Sequence, residues 1–545
     1  MKYIKYMIVA AVAVSGTACH NWLTEETPGT TSRDAYFATA AAAVEVVNAA
    51  YTPLMWEFGT NTTYYSEWFI GDIVSDDALK GGQSVTDMGE CRDMENFKTN
   101  TNNKLLLGFY RAQWTGVARA NLALDEVPKV PLDEVAGSGL TEELRDRLMG
   151  EAYFLRAYYY FRLVRVFGGM PLIDYVVDSS GKWAQKRTTR DETFKFILAD
   201  LERAEKLLIK RSEYTEPDDM GRATKGAAQA MLMKVNLYRA GFLAQEGNTA
   251  EAQQCYTLAR DWGKKVIESN EYSLLPAYAT LWTMAGENSQ ESVFEIQYTE
   301  DPMSDYGEGE GFTRGTFTTI LQRPRTSAFG GAGWGFDKPT QNLYDEFEAR
   351  DLRRPQTILN PTDEQIQNPS QEIYLGTRYC SRKHIMLTDG KDGKMYDLSH
   401  ATRSPRNYPQ IRYADVLLMY AEACCELNEL DDAILNLNKV RSRVRLNGFP
   451  YTAVIQGKEV TFARTQADLR TAIRHERRVE LAMEGLRWFD LCRWGIAAEV
   501  MTAYLQTETD EVKAEVAPFQ KGKHELFPIP ADEIALSGIE QNFGY

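Results

Sequence analysis

Two stretches of the sequence hold a pair of alanines twelve residues apart with a turn between them. In the first, Ala240 and Ala252 flank Gly247, and in the second Ala421 and Ala433 have the same spacing. In each stretch apolar or aromatic residues follow the second alanine by four and seven positions. Small residues at such a crossing allow two antiparallel helices to approach closely, and the later residues fill the groove between them. The spacing therefore predicts two closely packed helix pairs of the tetratricopeptide type.

Helical periodicity recurs through much of the chain. Residues 270–408 differ, because glycine and proline are frequent there and only short strand-like pieces occur, such as 293–298. We expect a mainly α fold with tetratricopeptide-like helix pairs and a loop-rich insertion that contains short strands. The predicted helices lie at about 33–58, 104–127, 141–167, 191–211, 222–244, 250–269, 410–427, 429–445 and 466–497.

The same patterns divide the chain into segments. The predicted organisation is a signal peptide at 1–18, an N-terminal helical region at 19–269 and a C-terminal region at 270–545. The C-terminal region consists of the loop-rich insertion, 270–408, and a helical part, 409–545. We expect these regions to form a single globule.

The first residues have the character of a secretory leader. Lys2 and Lys5 precede an apolar run at 7–14, small residues follow, and Cys19 comes directly after them. This arrangement predicts that Cys19 is diacylated and anchors the mature protein in a membrane. Gly16 stands where such leaders usually have leucine, so an ordinary signal peptide with an incidental cysteine is the alternative.

Composition excludes several classes of protein. The 545 residues include 61 Lys plus Arg and 77 Asp plus Glu, a formal net charge of −16. This balance argues against a nucleic-acid partner, which needs a clustered positive field. No apolar run is long enough for a membrane-spanning helix. None of the seven cysteines forms a Cys-x-x-Cys pair, so neither a zinc ribbon nor a disulfide scaffold is expected, and we predict no cofactor.

Several separated motifs, in order along the chain, resemble those of the SusD/RagB family of outer-membrane nutrient-binding lipoproteins. The most specific is Ile473–Gly495, with the sequence IRHERRVELAMEGLRWFDLCRWG. The others are 151–161 with 163–172, 412–423 with 438–441, 526–530 and 541–545.

This resemblance implies a function as well as a helical fold. It implies a lipid-anchored, surface-exposed protein of the outer membrane that captures an oligosaccharide or a peptide. It also implies a SusC-like TonB-dependent transporter as the partner that receives the ligand. Glycans are our first expectation, and a peptide-binding RagB-like receptor or a pure adaptor without a ligand is the alternative.

A glycoside hydrolase on a helical scaffold is a third, less favoured hypothesis. Glu476, Glu480 and Glu484 recur every four residues on one helix face, as a pair of catalytic carboxylates could. A general acid needs a raised pKa, however, and neighbouring arginines keep carboxylates ionised. We therefore expect an Arg/Glu network with Arg477, Arg478 and Arg487, no catalytic residue and no enzyme activity.

An acidic run in the segment 78–103 could supply oxygen ligands for calcium. Its spacing does not match an EF-hand loop, and a solvated acidic loop is the favoured interpretation, so no metal site is predicted. The run comprises Asp87, Glu90, Asp93 and Glu95.

Ligand contacts are expected in the two long non-helical segments, 78–103 and 299–345, which we predict to line one shallow site. Aromatic rings among glycines can stack on a sugar, and cationic neighbours can bond its hydroxyl groups. Trp334 lies in a Gly-rich turn, so a purely structural ring is the alternative there. The candidate ligand-binding residues are Lys80, Arg92, Tyr306, Arg323 and Trp334.

The anchor prediction is tested with Cys19→Ser. Without the thiol no diacyl group can be attached, so we expect the protein to move from the membrane to the soluble fraction on cell fractionation. Full retention of the variant in outer membranes after a high-salt wash would show that lipidation at Cys19 is not the main tether.

Overall fold

The computed structural model describes residues 33–57, 66–177, 184–300, 314–326, 329, 333–397 and 404–545. Cys19, the predicted leader and Tyr306 lie outside these residues. Among the described helices, none combines the length and the apolar character needed to cross a membrane.

Ten long helices in the described residues form the frame of the molecule. They are α1 (Ala40–Tyr51), α2 (Lys104–Glu126), α3 (Glu142–Phe167), α4 (Arg190–Leu207), α5 (Lys225–Gln245), α6 (Thr249–Glu268), α7 (Tyr413–Glu426), α8 (Leu430–Arg443), α9 (Gln466–Leu481) and α10 (Ala497–Thr507). Shorter helices span Arg33–Tyr36, Trp68–Gly71, Gly89–Glu95, Asp133–Ala136, Thr318–Gln322, Gln341–Glu346, Arg354–Thr357, Pro369–Glu372, Arg487–Arg493, Asp510–Glu515 and Ala531–Ser537.

The alanine pairs lie where helices cross. Ala240 and Ala252 lie at the contact between α5 and α6, and Ala421 and Ala433 lie at the contact between α7 and α8. All four side chains are buried. The predicted helix pairs are therefore confirmed. The two pairs also lie side by side, because α6 packs against α7, although the insertion separates them in sequence.

Threonine and asparagine side chains fix where several helices begin. The Thr141, Thr224 and Thr465 hydroxyls accept hydrogen bonds from the backbone N–H three residues later, and Asn103 does the same for α2. Thr189 forms a reciprocal capping box with the side chain of the third residue of α4. Each cap satisfies an N–H that has no partner within the helix.

Eight short strands form four antiparallel pairs in the described residues: β1–β3, β2–β6, β4–β5 and β7–β8. The strands are β1 (Ala78–Gly81), β2 (Ser292–Ile296), β3 (Phe336–Pro339), β4 (Ile358–Leu359), β5 (Cys380–Ser381), β6 (Tyr408–Arg412), β7 (Tyr451–Ile455) and β8 (Lys458–Phe462). The β2–β6 pair closes the insertion at its base, since β2 begins it and β6 leads directly into α7.

The predicted helix over 466–497 is divided in the structure. Helix α9 ends at Leu481, and the next helix begins at Arg487. Between them Met483 and Gly485 have φ angles of 61° and 73°, which an α-helix does not allow. The Gly485 N–H instead donates to the Asp72 carboxylate, at 3.0 and 2.9 Å. A long-range hydrogen bond thus ends a helix that local periodicity would continue.

Trp488 gives a direct test of the core. The indole is 1% exposed and contacts the rings of Phe97 and Phe519. Truncation of a buried tryptophan leaves a large cavity, so Trp488→Ala should lower the free energy of unfolding by about 3–5 kcal/mol in urea denaturation. Trp262→Ala, which removes a partly exposed ring on α6, is the control and should cost less. Equal stability of Trp488→Ala and the wild type would contradict this packing.

Candidate ligand-binding face

The two segments predicted to share a site are joined by a small sheet. Strand β1 pairs with β3, with Ala78 opposite Pro339 and Gly81 opposite Phe336. One residue further on, the Gly82 N–H donates to the Gly335 carbonyl at 2.8 Å. The pairing holds the end of β1 beside the Gly-rich turn that contains Trp334.

Two glycines make this close approach possible. A Cβ on Gly81 would lie 2.2 Å from the Gly335 carbonyl oxygen, and a Cβ on Gly333 would lie 2.0 Å from the Arg323 carbonyl oxygen. Gly81 also has a φ of 74°, which L side chains rarely adopt. Gly81 is therefore required by the contact between the two segments, and Gly333 by the close packing of its own segment against Arg323.

Lys80 is placed inside the protein. Its side chain is 0% exposed, and its ammonium donates to the carbonyls of Gly81, Ser84 and Asp87 at 2.7, 3.1 and 2.7 Å. Since all three acceptors belong to the turn that follows β1, Lys80 holds the shape of that turn. Its position does not favour the direct ligand contact that the sequence suggested.

The two arginines predicted as ligand contacts are also occupied within the protein. Arg323 is 5% exposed and donates to the carbonyls of Ile385 and Tyr396 at 3.0 and 2.9 Å, and burial lowers its pKa to about 10. Arg92 forms an ion pair with Glu515 at the protein surface. Arg323 is therefore a link within the insertion, and Arg92 is a link to the C-terminal part.

Trp334 is half-buried beside the sheet. Its backbone N–H donates to the Ile320 carbonyl at 2.9 Å, and its ring packs partly on the main core. The remaining ring surface faces solvent. Ligand contact by Trp334 stays a prediction, and so does contact by Tyr306, which lies outside the described residues.

We call the surface formed by Gln83–Asp87, Arg325 and Trp334 the rim. Residues 83–86 are exposed, and they offer an amide and two hydroxyl groups. The Arg325 guanidinium lies 3.4 Å from the Asp87 carboxylate, which also accepts the Gln83 N–H at 2.8 Å. The buried Arg325 Nε has no hydrogen-bond partner among the described residues. The rim therefore combines a half-exposed ring with several polar groups.

Sequence reasoning predicted that the two segments share one face, and they do pair, but it did not identify the polar members of the rim. Asp87 was assigned to a solvated acidic loop, and Arg325 was not singled out. Neither has a distinctive local spacing, since they meet across 238 residues. The consecutive glycines 81–82 after a strand were the available signal for an exposed turn.

The three periodic glutamates, two on α9 and the third just beyond its end, lie in a buried ion network. Glu476 and Glu480 are 0% exposed, and Glu484 is 6% exposed. Arg353 bonds both Glu476 and Glu480, at 2.5 and 2.9 Å. Arg412 bonds Glu480 and Glu484, at 2.6 and 2.8 Å.

Charge, and not only burial, sets the pKa of Glu480. Burial alone would raise the pKa of Glu480, but Arg443, Arg412 and Arg353 together hold it well below its usual value. A general acid requires the opposite shift. The geometry therefore supports a structural network and gives no support for a glycosidase pair.

The arginine partners differ from those expected from spacing along α9. Arg477 pairs with Asp415 and Asp490, at 2.8 and 3.1 Å. Arg478 and Arg487 both pair with acidic residues at 76–77, just before β1. The glutamates instead take their cations from other elements, namely Arg353, Arg412, Arg441 and Arg443.

No group of three metal-ligating side chains is formed by the described residues. Of the acidic run, Glu95 is 8% exposed and accepts the Lys80 N–H, whereas Asp87 pairs with Arg325. These two carboxylates are therefore not part of a freely solvated loop, which corrects the sequence-based interpretation for them.

The protein combines stacked helix pairs with loops that carry polar and aromatic groups on one face. This combination is typical of a helical-repeat binding protein. Two family models match the chain: one described as "SusD family" over residues 367–545, and one described as "Starch-binding associating with outer membrane" over residues 21–237. The chain belongs to the SusD/RagB family.

Solved structures and curated relatives agree with this assignment. A laminarin binding SusD-like protein is 27% identical, with a TM-score of 0.74 over 93% of this chain and 100% of that chain. Surface glycan-binding protein A from Bacteroides thetaiotaomicron is 25% identical, with a TM-score of 0.74 over 94% of this chain and 100% of that chain. SusD-like protein P2 of Formosa agariphila is 25% identical over 99% of this chain and 100% of its own length.

His475 on α9 gives a pH-dependent test of the buried network. Burial alone would lower its pKa, but a hydrogen bond with Glu346 at 2.8 Å and the nearby carboxylates of Glu348 and Glu476 raise it to about 9, from an ordinary value of 6.5. A raised pKa stabilises the fold fully below pH 6.5, and this contribution disappears as the pH rises through 9. Urea denaturation should therefore show a loss on the order of 1–3 kcal/mol between pH 6.5 and 9.5 that His475→Gln does not show. Parallel pH profiles for the two proteins would contradict the assignment.

Proposed function

We propose that this protein captures neutral oligosaccharides at the cell surface, that the rim is the contact surface, and that the glycan is bound without being cleaved. The observation that carries this proposal is the composition of the rim: the partly exposed Trp334 lies beside an exposed turn that offers an amide and two hydroxyl groups. The flat C–H faces of a sugar stack on an aromatic ring, while its hydroxyl groups need several placed donors and acceptors.

The comparisons favour a glycan over a peptide as the ligand. The structural relative at 27% identity is named for laminarin binding, and the one at 25% for surface glycan binding. Laminarin-type oligosaccharides are therefore the first probes. The rim is also compatible with neutral sugars because its one described ion pair, Arg325 with Asp87, balances its own charge.

Binding at such a face should be modest. The rim is open, and ordering a flexible oligosaccharide offsets much of the contact energy. We therefore expect a dissociation constant of roughly 1 μM to 1 mM, which corresponds to a binding free energy of about −8 to −4 kcal/mol. Modest affinity also suits a protein that must release its ligand to another protein.

Delivery completes the proposed function. A diacyl group on Cys19 would tether the protein to the outer membrane, and a SusC-like TonB-dependent transporter would receive the captured glycan. The leader motif and the family description "associating with outer membrane" support this location. The structure contributes a compact helical scaffold that holds the rim.

Absence of cleavage is supported by the state of the best acid candidates. Glu476 and Glu480 are fully buried and ion-paired, so neither can reach a glycosidic bond. Overnight incubation of the purified mature protein with laminarin should release no reducing ends. Multiple-turnover release of reducing ends by the wild type would revive the hydrolase hypothesis.

Calorimetry with laminarihexaose, xylohexaose and mannohexaose tests the position of the site. Loss of the Trp334 ring should cost about 1–2 kcal/mol, so Trp334→Ala should bind the recognised sugar roughly 5–30-fold more weakly. Arg325→Ala should also weaken binding. Trp262→Ala, with its ring on α6, is the matched control and should bind like the wild type.

Three outcomes of this titration would contradict the proposal. Unchanged affinity in both folded rim variants would place the site elsewhere. Equal loss in Trp262→Ala would show that the effect is not local to the rim. Failure of every glycan together with saturable binding of a peptide would support the RagB-like alternative.

A further inference from the structure

A second concave surface, which shares no residue with the rim, lies beside strand β1. It has a volume of about 400 Å³ and is lined mainly by apolar side chains. Its walls come from the end of the helix Gly89–Glu95, from α10, from the helix Asp510–Glu515 and from the chain that follows it. We call it the apolar pocket. Leu79 lines the apolar pocket, whereas the ammonium group of the next residue, Lys80, donates to a backbone carbonyl of the turn that carries the rim.

Aromatic rings form one wall of the apolar pocket. Phe97 and Phe519 both line it, and their rings meet edge to face at 5.0 Å. Two further rings hold the Phe97 ring in place. It stacks on His524, with the ring centres 5.2 Å apart, and contacts Trp488 at 5.9 Å. Both phenylalanines remain partly exposed, so the wall presents a rigid aromatic surface to the cavity.

Two lining residues have a strained backbone. Phe97 and Leu375 have φ angles of 53° and 47°, in a region that bulky side chains rarely occupy. Such conformations persist only where the surrounding structure imposes them, and they concentrate at binding sites. Here the strain keeps two large apolar side chains on the cavity wall.

Glu95 supplies a polar group in the apolar pocket. It is 8% exposed, and its carboxylate accepts the Lys80 N–H at 3.0 Å. Burial raises its pKa to about 7, partly offset by the charges of Lys80 and Arg92. Glu508 at the end of α10 opposes these cations. The other titratable groups that interact with Glu95 are Cys91, Tyr374 and Tyr504, whose pKa values are all raised, so they stay neutral near pH 7.

We propose that the apolar pocket binds a neutral aromatic compound of about two fused rings that carries a hydroxyl group. The rings would pack against Phe97 and Phe519, and the hydroxyl group would donate to Glu95. An engineered apolar cavity of about 150 Å³ holds one benzene, so 400 Å³ has room for a second ring and a polar substituent. This site goes beyond glycan capture and does not depend on it.

Fluorescence titration with 2-naphthol tests the proposal directly. The wild type should bind it saturably, and decahydro-2-naphthol, which has the same carbon skeleton but saturated, puckered rings, should compete about tenfold less well. Val516→Trp places a large ring in the pocket and should abolish binding. Val454→Trp is the matched control, because Val454 lies on the exposed face of β7 at 52% exposure, and it should bind normally.

The pH dependence identifies the polar contact. A hydroxyl donor favours the ionised carboxylate, so naphthol affinity should rise between pH 6 and 8 in the wild type. Glu95→Gln should bind at every pH without this rise, which separates the contribution of Glu95 from that of Glu508. A rise that persists in Glu95→Gln would overturn the assignment of the hydroxyl contact.

The remaining outcomes also decide the question. No saturable binding to the wild type, or equal binding to Val516→Trp, would overturn the proposal. Concentration-dependent dimerisation that Val516→Trp abolishes would show that a second copy of the chain fills the pocket instead. Because no glycan is used, each result stands whether or not the rim binds sugars.

Discussion

The whole C-terminal part of the molecule depends on a buried ion network centred on Glu480. Its carboxylate meets three arginines that come from different elements: Arg353 from the insertion, Arg412 from β6 and Arg443 from α8. Removing charges from water is costly, and the cost is offset only when each charge has well-placed partners. A helix that carries Glu480 can therefore be buried only when all three neighbours are in place.

The need for all three arginines around Glu480 explains how a chain with a large irregular insertion adopts a single fold. Loop-rich segments have few local signals that fix their path. Arg353 ties the middle of the insertion to α9, and Arg412 ties the strand that leaves the insertion to the same helix. A second buried carboxylate, Glu57, also holds the insertion, because it accepts the Phe317 N–H at 2.6 Å and the Thr318 hydroxyl at 2.8 Å.

Local patterns predicted the scaffold well. The alanine pairs lie at real helix crossings, and the helix predicted at 141–167 begins at Glu142, where Thr141 caps it. The hairpin β7–β8 was not predicted, although alternation at 451–455 and the Gln456–Gly457 turn, with φ angles of 50° and 72°, were readable signals.

Long-range contacts account for what sequence reasoning could not find. The pairing of β1 with β3 joins residues more than 250 positions apart, and nothing local to either strand specifies the partner. Lys80 looks like an exposed ligand contact in sequence, but the folded turn places three carbonyls around its ammonium. The charges of Arg325 and Asp87 meet for the same non-local reason.

The central claim is that the rim is the place where the protein holds a glycan. A crystal structure of the mature protein soaked with laminarihexaose, or with whichever hexasaccharide calorimetry selects, tests it most directly. The account predicts sugar density stacked on Trp334 and within hydrogen-bond distance of Arg325 or the turn at Gln83–Asp87. A well-ordered sugar bound at any other surface, with the rim empty, would contradict it.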